Sequence, residues 1–161
     1  QLLAVEIKET PWFEAVPKQD FRKKWSTRPH NGLVYRNFED ATGTALEPDP
    51  VRMRRILLKT EDGFEKFGLH HPQSPVIVIG DSNSAHWSRR SCGLPHALAF
   101  ELGFAVDVIS TAGGGANTSR LNLARKIRSE PEYLEGKRTV IWCFSARAFT
   151  NTSEGWIPIE L

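Results

Sequence analysis

The chain has 161 residues, of which 40% are hydrophobic and 25% charged, which suits the core of one ordinary domain but not two. Its 21 basic residues exceed its 19 acidic ones by only two and are scattered among other residue types, so the composition does not support nucleic-acid binding. No apolar run approaches the roughly 20 residues that span a bilayer, and residues 1–10 mix charges into their apolar pattern, which excludes a signal peptide or membrane anchor there.

The chain opens without Met, on Gln1–Lys8, a run of good helix formers with no capping residue in front. We interpret it as the later part of a helix. The two cysteines, Cys92 and Cys143, match no metal-binding spacing, and sequence cannot decide whether they pair. The sequence therefore suggests no metal and no organic cofactor.

Residues 10–75 are interrupted by prolines and by turn signals at His30–Gly32 and Glu61–Gly63. We expect short elements here, with Val51–Lys59 as a strand or a short helix. Residues 1–75 are accordingly interpreted as an irregular segment that wraps the core of a single domain of residues 1–161.

Residues 76–161 contain three continuous apolar runs, Val76–Ile79, Ala105–Ile109 and Thr139–Phe144. Such runs predict strands that are buried on both faces. Two helical patterns separate them, Leu94–Gly103 and Ser119–Ser129. The order predicts a βαβαβ core, an α/β fold with a parallel sheet covered on both sides, in which ligands bind beyond the carboxyl ends of the strands.

The helices have distinct boundary signals. Pro95 suits the first turn of the first helix and Gly103 its end, whereas Asn117 or Thr118 can cap the second helix.

The first core strand runs into the turn Gly80-Asp81-Ser82-Asn83-Ser84. Gly80 and Asp81 are interpreted as supporting this turn, which presents Ser82 above the sheet edge beside the unpaired N–H groups of a helix start. A Ser there can act as a nucleophile. The alternative is that Asp81, Ser82 or Ser84 simply caps the helix, because these residue types are preferred caps.

The second core strand is followed by Gly113, Gly114, Gly115 and, two residues later, Asn117. Glycines let backbone N–H groups approach a ligand closely and can form an oxyanion hole or an anion-binding nest. They can equally make only a tight connection. The loop matches neither a phosphate-binding loop ending in Lys nor a dinucleotide fingerprint.

The third core strand is followed by Arg147, which can bind a carboxylate or sugar hydroxyl or pair with an acidic surface residue. Trp142 within the strand is interpreted as core. Trp87, soon after Ser82, is a candidate for lining the cleft and contacting substrate, as aromatic side chains often do.

Three sequence blocks occur in a characteristic order: VIVIGDSNSAHW, VISTAGGGANTSRLN and KRTVIWCFSARAF. They resemble the SGNH hydrolase-like domain of the alginate O-acetyltransferase group over Ser74–Phe149. The resemblance implies a flavodoxin-like three-layer sandwich in which Ser82 of the GDS motif is the serine nucleophile. It also implies an oxyanion hole from Ser82 and the glycine loop. The family's third block has a Trp followed by an Arg after a strand, and Trp142 and Arg147 match these two residues.

The same resemblance requires an Asp-x-His pair, which this chain lacks: none of His30, His70, His71, His86 and His96 has Asp two residues before it. We therefore expect the chain to be a fragment, inactive alone, whose parent carries Asp and His upstream of Gln1. His86, four residues after Ser82, is a weaker candidate base.

The resemblance implies serine-dependent O-acetyl transfer to a polysaccharide, or its removal by an acetylesterase reaction. The implied partners are a polysaccharide acceptor, an acetyl donor and components of a polymer-modification or secretion complex, and the implied location is the periplasm or cell surface. The alternatives are a non-catalytic carbohydrate-binding module and an ordinary flavodoxin-like ligand-binding domain.

Overall fold

The structure is a computed structural model that describes residues 2–150 together with residues 155, 156, 158 and 159. Gln1, the first residue of the predicted N-terminal helix, lies outside the described residues. The helices and strands follow in this order: α1 Leu2–Lys8, β1 Phe21–His30, α2 Leu33–Thr42, β2 Asp49–Thr60, β3 Gly63–Glu65, β4 Val76–Gly80, α3 Ser82–Ala85, α4 Leu94–Leu102, β5 Asp107–Ser110, α5 Gly115–Ser129, β6 Thr139–Cys143 and α6 Arg147–Thr150.

Strands β4, β5 and β6 form a parallel sheet in the order β5-β4-β6. All five residues of β4 are buried, as expected for a central strand. Val76 and Val78 pack with α1 and α4 on one face, whereas Ile77 and Ile79 pack against α5 on the other. Helices therefore cover both faces, which confirms the predicted three-layer α/β fold.

The strand order creates a switch point at the carboxyl end of β4. The chain leaves β4 for β5 on one side, and α5 then carries it back across to β6 on the other. The loops after β4 and β5 thus diverge around the end of β4, where sheets of this kind bind ligands. Ser82 follows that end directly.

A separate antiparallel sheet in the order β1-β2-β3 precedes this core. β1 and β2 pair over ten positions, from Phe21 opposite Leu58 to His30 opposite Asp49. These strands are longer than the short elements that the sequence led us to expect, and the region that fitted a strand or a helix is a strand. Pro29 is tolerated because β1 is an edge strand.

The β1–β2 hairpin packs on the outer side of α4. Phe21 and Ile56 form a buried cluster with Ala99, and partly buried Phe67 and Phe100 extend it. The first sheet is thus held on the core by apolar contacts.

Other features also differ from the sequence interpretation. α2 was not predicted. α5 begins at Gly115, four residues before the predicted start, and its cap position is Gly114 without a side-chain bond, so the proposed caps Asn117 and Thr118 are wrong. Cys92 and Cys143 are free thiols. Across the described residues, no helix combines the length and the apolar character needed to cross a membrane.

Candidate active site

A cleft of about 680 Å³ lies at the carboxyl ends of the three parallel strands. Its walls come from the turn after β4, the start of α5, the loop after β6 and one aromatic residue near the C-terminus. The lining residues are Asp81, Ser82, Asn83, Gly113, Gly114, Gly115, Ala116, Asn117, Ser145, Arg147, Ala148 and Trp156.

Asp81 joins the turn after β4 to both neighbouring loops. One carboxylate oxygen accepts the Asn83 N–H at 2.8 Å, and the other accepts the Ser145 N–H at 2.8 Å. Its carbonyl oxygen accepts the Ser84 hydroxyl at 2.7 Å and the Ser110 hydroxyl at 2.9 Å. The side chain is buried, and each of its oxygens accepts one of the hydrogen bonds that fix the turn after β4 and the loop after β6.

The cap of α3 is therefore Asp81 and not Ser82. Ser82 is half-buried and lines the cleft, and its hydroxyl forms no hydrogen bond with any part of the chain that the structure describes. The Ser82 N–H likewise donates to no acceptor among the described residues. Capping alone thus does not account for this serine, because another side chain already performs it.

Close packing leaves no room for a side chain at Gly80. A Cβ added there would lie 2.3 Å from the Cys143 carbonyl oxygen and 2.6 Å from the Ser84 hydroxyl oxygen. Real Cβ atoms do not approach backbone oxygen so closely, so no side chain fits at this position.

Burial, and secondarily the charge of Asp81, raises the pKa of the nearby Cys143 thiol, which keeps that thiol protonated.

The glycine loop leads directly into α5. Gly113 and Gly115 adopt positive φ values of 74° and 59°, and a Cβ at Gly114 would lie 2.6 Å from the Thr118 side chain. The first N–H groups of a helix have no partner within the helix. Those of Gly115 and Ala116 donate to no acceptor in the described part of the chain, and both residues line the cleft.

The cationic wall of the cleft is formed by Arg147 at the start of α6. Its guanidinium forms no salt bridge with a carboxylate of the described residues, so the surface ion pair considered from the sequence is not present there. Asn117 lines the same cleft, and its amide donates to the Gly155 carbonyl at 3.4 Å.

Trp156 lines the cleft although no sequence signal identified it. Its ring lies 5.0 Å from that of Trp142 and 5.7 Å from that of Phe144, and the Arg120 guanidinium lies 5.4 Å from it. Trp142 is 37% exposed on the edge strand β6. Its interpretation as a core residue is therefore wrong.

Trp87 lies outside the cleft. It lines a different depression with Met53 and Gly93, and its ring lies 4.8 Å from that of His30 and 4.9 Å from that of His86. The structure thus does not bring the predicted substrate-contacting Trp87 to Ser82, and Trp156 occupies the aromatic position instead.

No histidine lines the cleft within the described residues. His86 is exposed and packs against Trp87, and His96 is buried in α4. The described residues also contain no group of three or more His, Cys, Asp or Glu side chains suited to a metal ion. The described lining therefore combines an unbonded serine hydroxyl with N–H donors and contains no histidine.

Comparisons with known proteins agree on the fold. The family described as the SGNH hydrolase-like domain of acetyltransferase AlgX matches residues 1–146. The solved structure of Pseudomonas aeruginosa AlgX is 21% identical, with a TM-score of 0.57 over 88% of this chain and 30% of that chain. The O-acetyltransferase domain of Pseudomonas putida AlgJ is also 21% identical, with a TM-score of 0.59 over 88% and 45%. No protein of curated function matches the chain.

Proposed function

We propose, because this chain belongs to the family of SGNH hydrolase-like domains of acetyltransferase AlgX, that it supplies the nucleophile side of a site for serine-dependent O-acetyl transfer to a polysaccharide. The observation that carries the proposal is that Asp81, and not Ser82, makes the structural hydrogen bonds of the turn after β4. Asp81 caps α3 and fastens the loops, which leaves the Ser82 hydroxyl unbonded at the cleft among free N–H groups.

In the proposed reaction, a base takes the Ser82 proton as its oxygen attacks the carbonyl carbon of an acetyl donor. The donor's alcohol or thiol leaves with that proton, which gives an acetyl-serine. A sugar hydroxyl then loses its proton to the base as it attacks the acetyl carbon. The base passes this proton to the Ser82 oxygen as the bond between Ser82 and the acetyl group breaks. If water attacks instead, the same site acts as an acetylesterase.

The negative oxygen of each tetrahedral intermediate needs N–H donors. We assign this role to the Ser82 N–H and to the Gly113 and Gly115 N–H groups of the loop that opens α5. The Gly114 N–H, which the sequence also suggested, instead donates to the Thr111 carbonyl at 3.4 Å. One such donor typically contributes about 3 kcal/mol to lowering the barrier. Asn117, Arg147 and Trp156 then form the wall against which the acceptor sugar lies.

The base is the missing component. The chain spans 30% of the AlgX chain and 45% of the AlgJ chain that it matches, and no described histidine lines the cleft. We therefore propose that an Asp-His pair from protein outside these 161 residues completes the site, in an extracytoplasmic setting where polymer and acetyl donor meet.

The proposal is tested by hydrolysis of a chromogenic acetyl ester. A protein extended upstream to include an Asp-x-His pair should release acetate, and Ser82→Ala should abolish the release; undiminished hydrolysis in that variant would exclude Ser82 as the nucleophile. The 161 residues alone should show little turnover, because an unactivated serine is a weak nucleophile.

A second candidate is a non-catalytic carbohydrate-binding module, which the absence of a histidine from the described cleft favours. It predicts that the extended protein binds oligosaccharide without releasing acetate, whatever residue stands at position 82.

A further inference from the structure

A third depression, distinct from the cleft and from the one lined by Trp87, lies between the paired strands β1 and β2 and the 3-10 turn Ser88–Arg90. Its volume is about 390 Å³, and it shares no lining residue with the cleft. Five cationic side chains line it, and no carboxylate does: Arg28, Arg55, Lys66, Arg89 and Arg90.

None of these five cations forms a salt bridge in the part of the chain that the structure describes. Arg28, Lys66 and Arg89 are exposed at the rim, whereas Arg55 and Arg90 are half-buried in the wall. Like charges that share a partly desolvated hollow repel one another, and a bound anion would reverse that repulsion.

Two polar groups in the wall of the depression are buried without a partner. The Nη1 of Arg90 and the hydroxyl of Ser26 make no hydrogen bond with any described residue. Buried donors in native proteins are almost always satisfied, so such groups call for an explanation. Both groups are hydrogen-bond donors, and both belong to side chains that line the depression.

The backbone holds Arg55 in place, and the Trp87 ring contacts Arg90. The Arg55 Nε donates to the Arg90 carbonyl at 3.2 Å, and the Ile56 N–H donates to the Ser91 carbonyl at 2.8 Å. The Arg90 guanidinium also lies 5.6 Å from the Trp87 ring centroid. Two positioned guanidinium groups suit the several oxygens of an oxyanion, because each presents its donors in a rigid fork.

We propose that this depression binds an oxyanion with two or more negative charges, of the phosphate or sulfate class. The number of cations favours a multiply charged group over a single carboxylate. The group can be a free inorganic ion or a substituent carried on a glycan chain. This inference does not rest on acetyl transfer at Ser82.

The test is titration of the chain with inorganic phosphate and inorganic sulfate at constant ionic strength, with chloride as the reference anion. Calorimetry should give saturable binding, and the melting temperature should rise with phosphate or sulfate concentration, because a ligand specific for the folded state stabilises it. Equal behaviour in chloride would overturn the proposal.

Variants at the exposed rim test the location without disturbing the core. Arg28→Gln and Lys66→Gln should each weaken phosphate binding about tenfold, the scale expected for losing one charge-assisted hydrogen bond. Ser26→Ala should weaken it less, since its hydroxyl carries no charge. Arg36→Gln, the same charge change on exposed α2, should leave the affinity unchanged.

Equal weakening by Arg36→Gln and by the rim variants would show that net charge alone attracts phosphate, which contradicts a built site. A sulfated oligosaccharide separates the two sources. Tighter binding than that of inorganic sulfate, lost in Arg28→Gln, would identify a substituent on a polymer, whereas no gain over the inorganic ion would identify a free ion.

Discussion

The carboxylate of Asp81 should contribute measurably to stability, because it is buried and accepts hydrogen bonds from two backbone N–H groups. Asp81→Asn keeps one acceptor oxygen but turns an amide NH2 toward the N–H of either Asn83 or Ser145, each 2.8 Å from a carboxylate oxygen in the native protein. A hydrogen bond to a charged group contributes about 1.5–3 kcal/mol, and the unmatched donor adds a desolvation cost. We therefore expect the free energy of unfolding to fall by about 3 kcal/mol.

Urea denaturation, followed by circular dichroism and tryptophan fluorescence, measures this loss. Asp40→Asn is the matched control, because Asp40 is exposed on α2 and the substitution removes the same charge. It should change the free energy of unfolding by less than about 0.5 kcal/mol. Equal free energies for the two variants would refute the conclusion that Asp81 fastens the loops of the cleft.

Three further substitutions test other contacts by the same denaturation assay. Gly80→Ala should lower the free energy of unfolding by about 3 kcal/mol or more, because the added carbon clashes with a backbone oxygen. Gly136→Ala, whose added carbon meets nothing within 4 Å, should leave it nearly unchanged. Similar losses in the two variants would contradict the close packing at Gly80. Ser82→Ala should leave stability within about 0.5 kcal/mol of wild type, and a loss above about 1 kcal/mol would indicate a capping role instead. Asp107→Asn should cost about 3 kcal/mol at neutral pH, because it leaves the buried Lys137 ammonium, 3.1 Å away, without its counter-charge.

The Asp107 effect has a pH dependence of known sign. Burial alone would raise the pKa of Asp107, but hydrogen bonds from Tyr133, the His71 N–H and Lys137, with the charge of Lys137, outweigh it and hold the pKa below its usual value. Its stabilisation is therefore complete above about pH 4, the unfolded pKa, and is lost as the pH falls through the folded pKa. The difference in free energy of unfolding between wild type and Asp107→Asn should therefore become smaller in acid. A difference that does not change with pH would contradict this explanation.

The parallel core could be predicted from the sequence because its signals are local. The continuous apolar run of Val76–Ile79 indicated a strand buried on both faces, and all of it is buried. Pro95 and Gly103 marked the ends of a helix that the structure gives as Leu94–Leu102. Burial on both faces leaves little freedom in the choice of residue in β4. The same prediction is wrong for β6, an edge strand in which Val140 is 52% exposed.

The first sheet could not be predicted because its stability is not local. β1 carries Arg22, Lys23, Lys24 and Pro29, which read as a broken polar segment. It becomes a ten-residue strand through pairing with β2, in which the paired residues lie 19 (His30 and Asp49) to 37 (Phe21 and Leu58) positions apart along the chain. Pairing over that distance overrides intrinsic preference.

The cleft was partly predictable for a similar reason. Ser82, Asn117 and Arg147 follow the ends of parallel strands, so topology alone brings them to one edge of the sheet. Trp156 also lines the cleft, but no sequence pattern pointed to it. Trp87 was predicted to line the cleft because it is close to Ser82 in sequence. The turn after α3 instead places it on another surface.

The most direct test of the central claim is to trap the acyl-enzyme. A protein that contains these residues and an upstream Asp-x-His pair is mixed with an activated acetyl ester, quenched in acid, and mapped by peptide mass spectrometry. We expect one added acetyl group on the peptide that contains Ser82, and none on the corresponding peptide of Ser82→Ala. Acetylation of a different residue during turnover, or full turnover with Ser82 unmodified and replaceable by Ala, would contradict it.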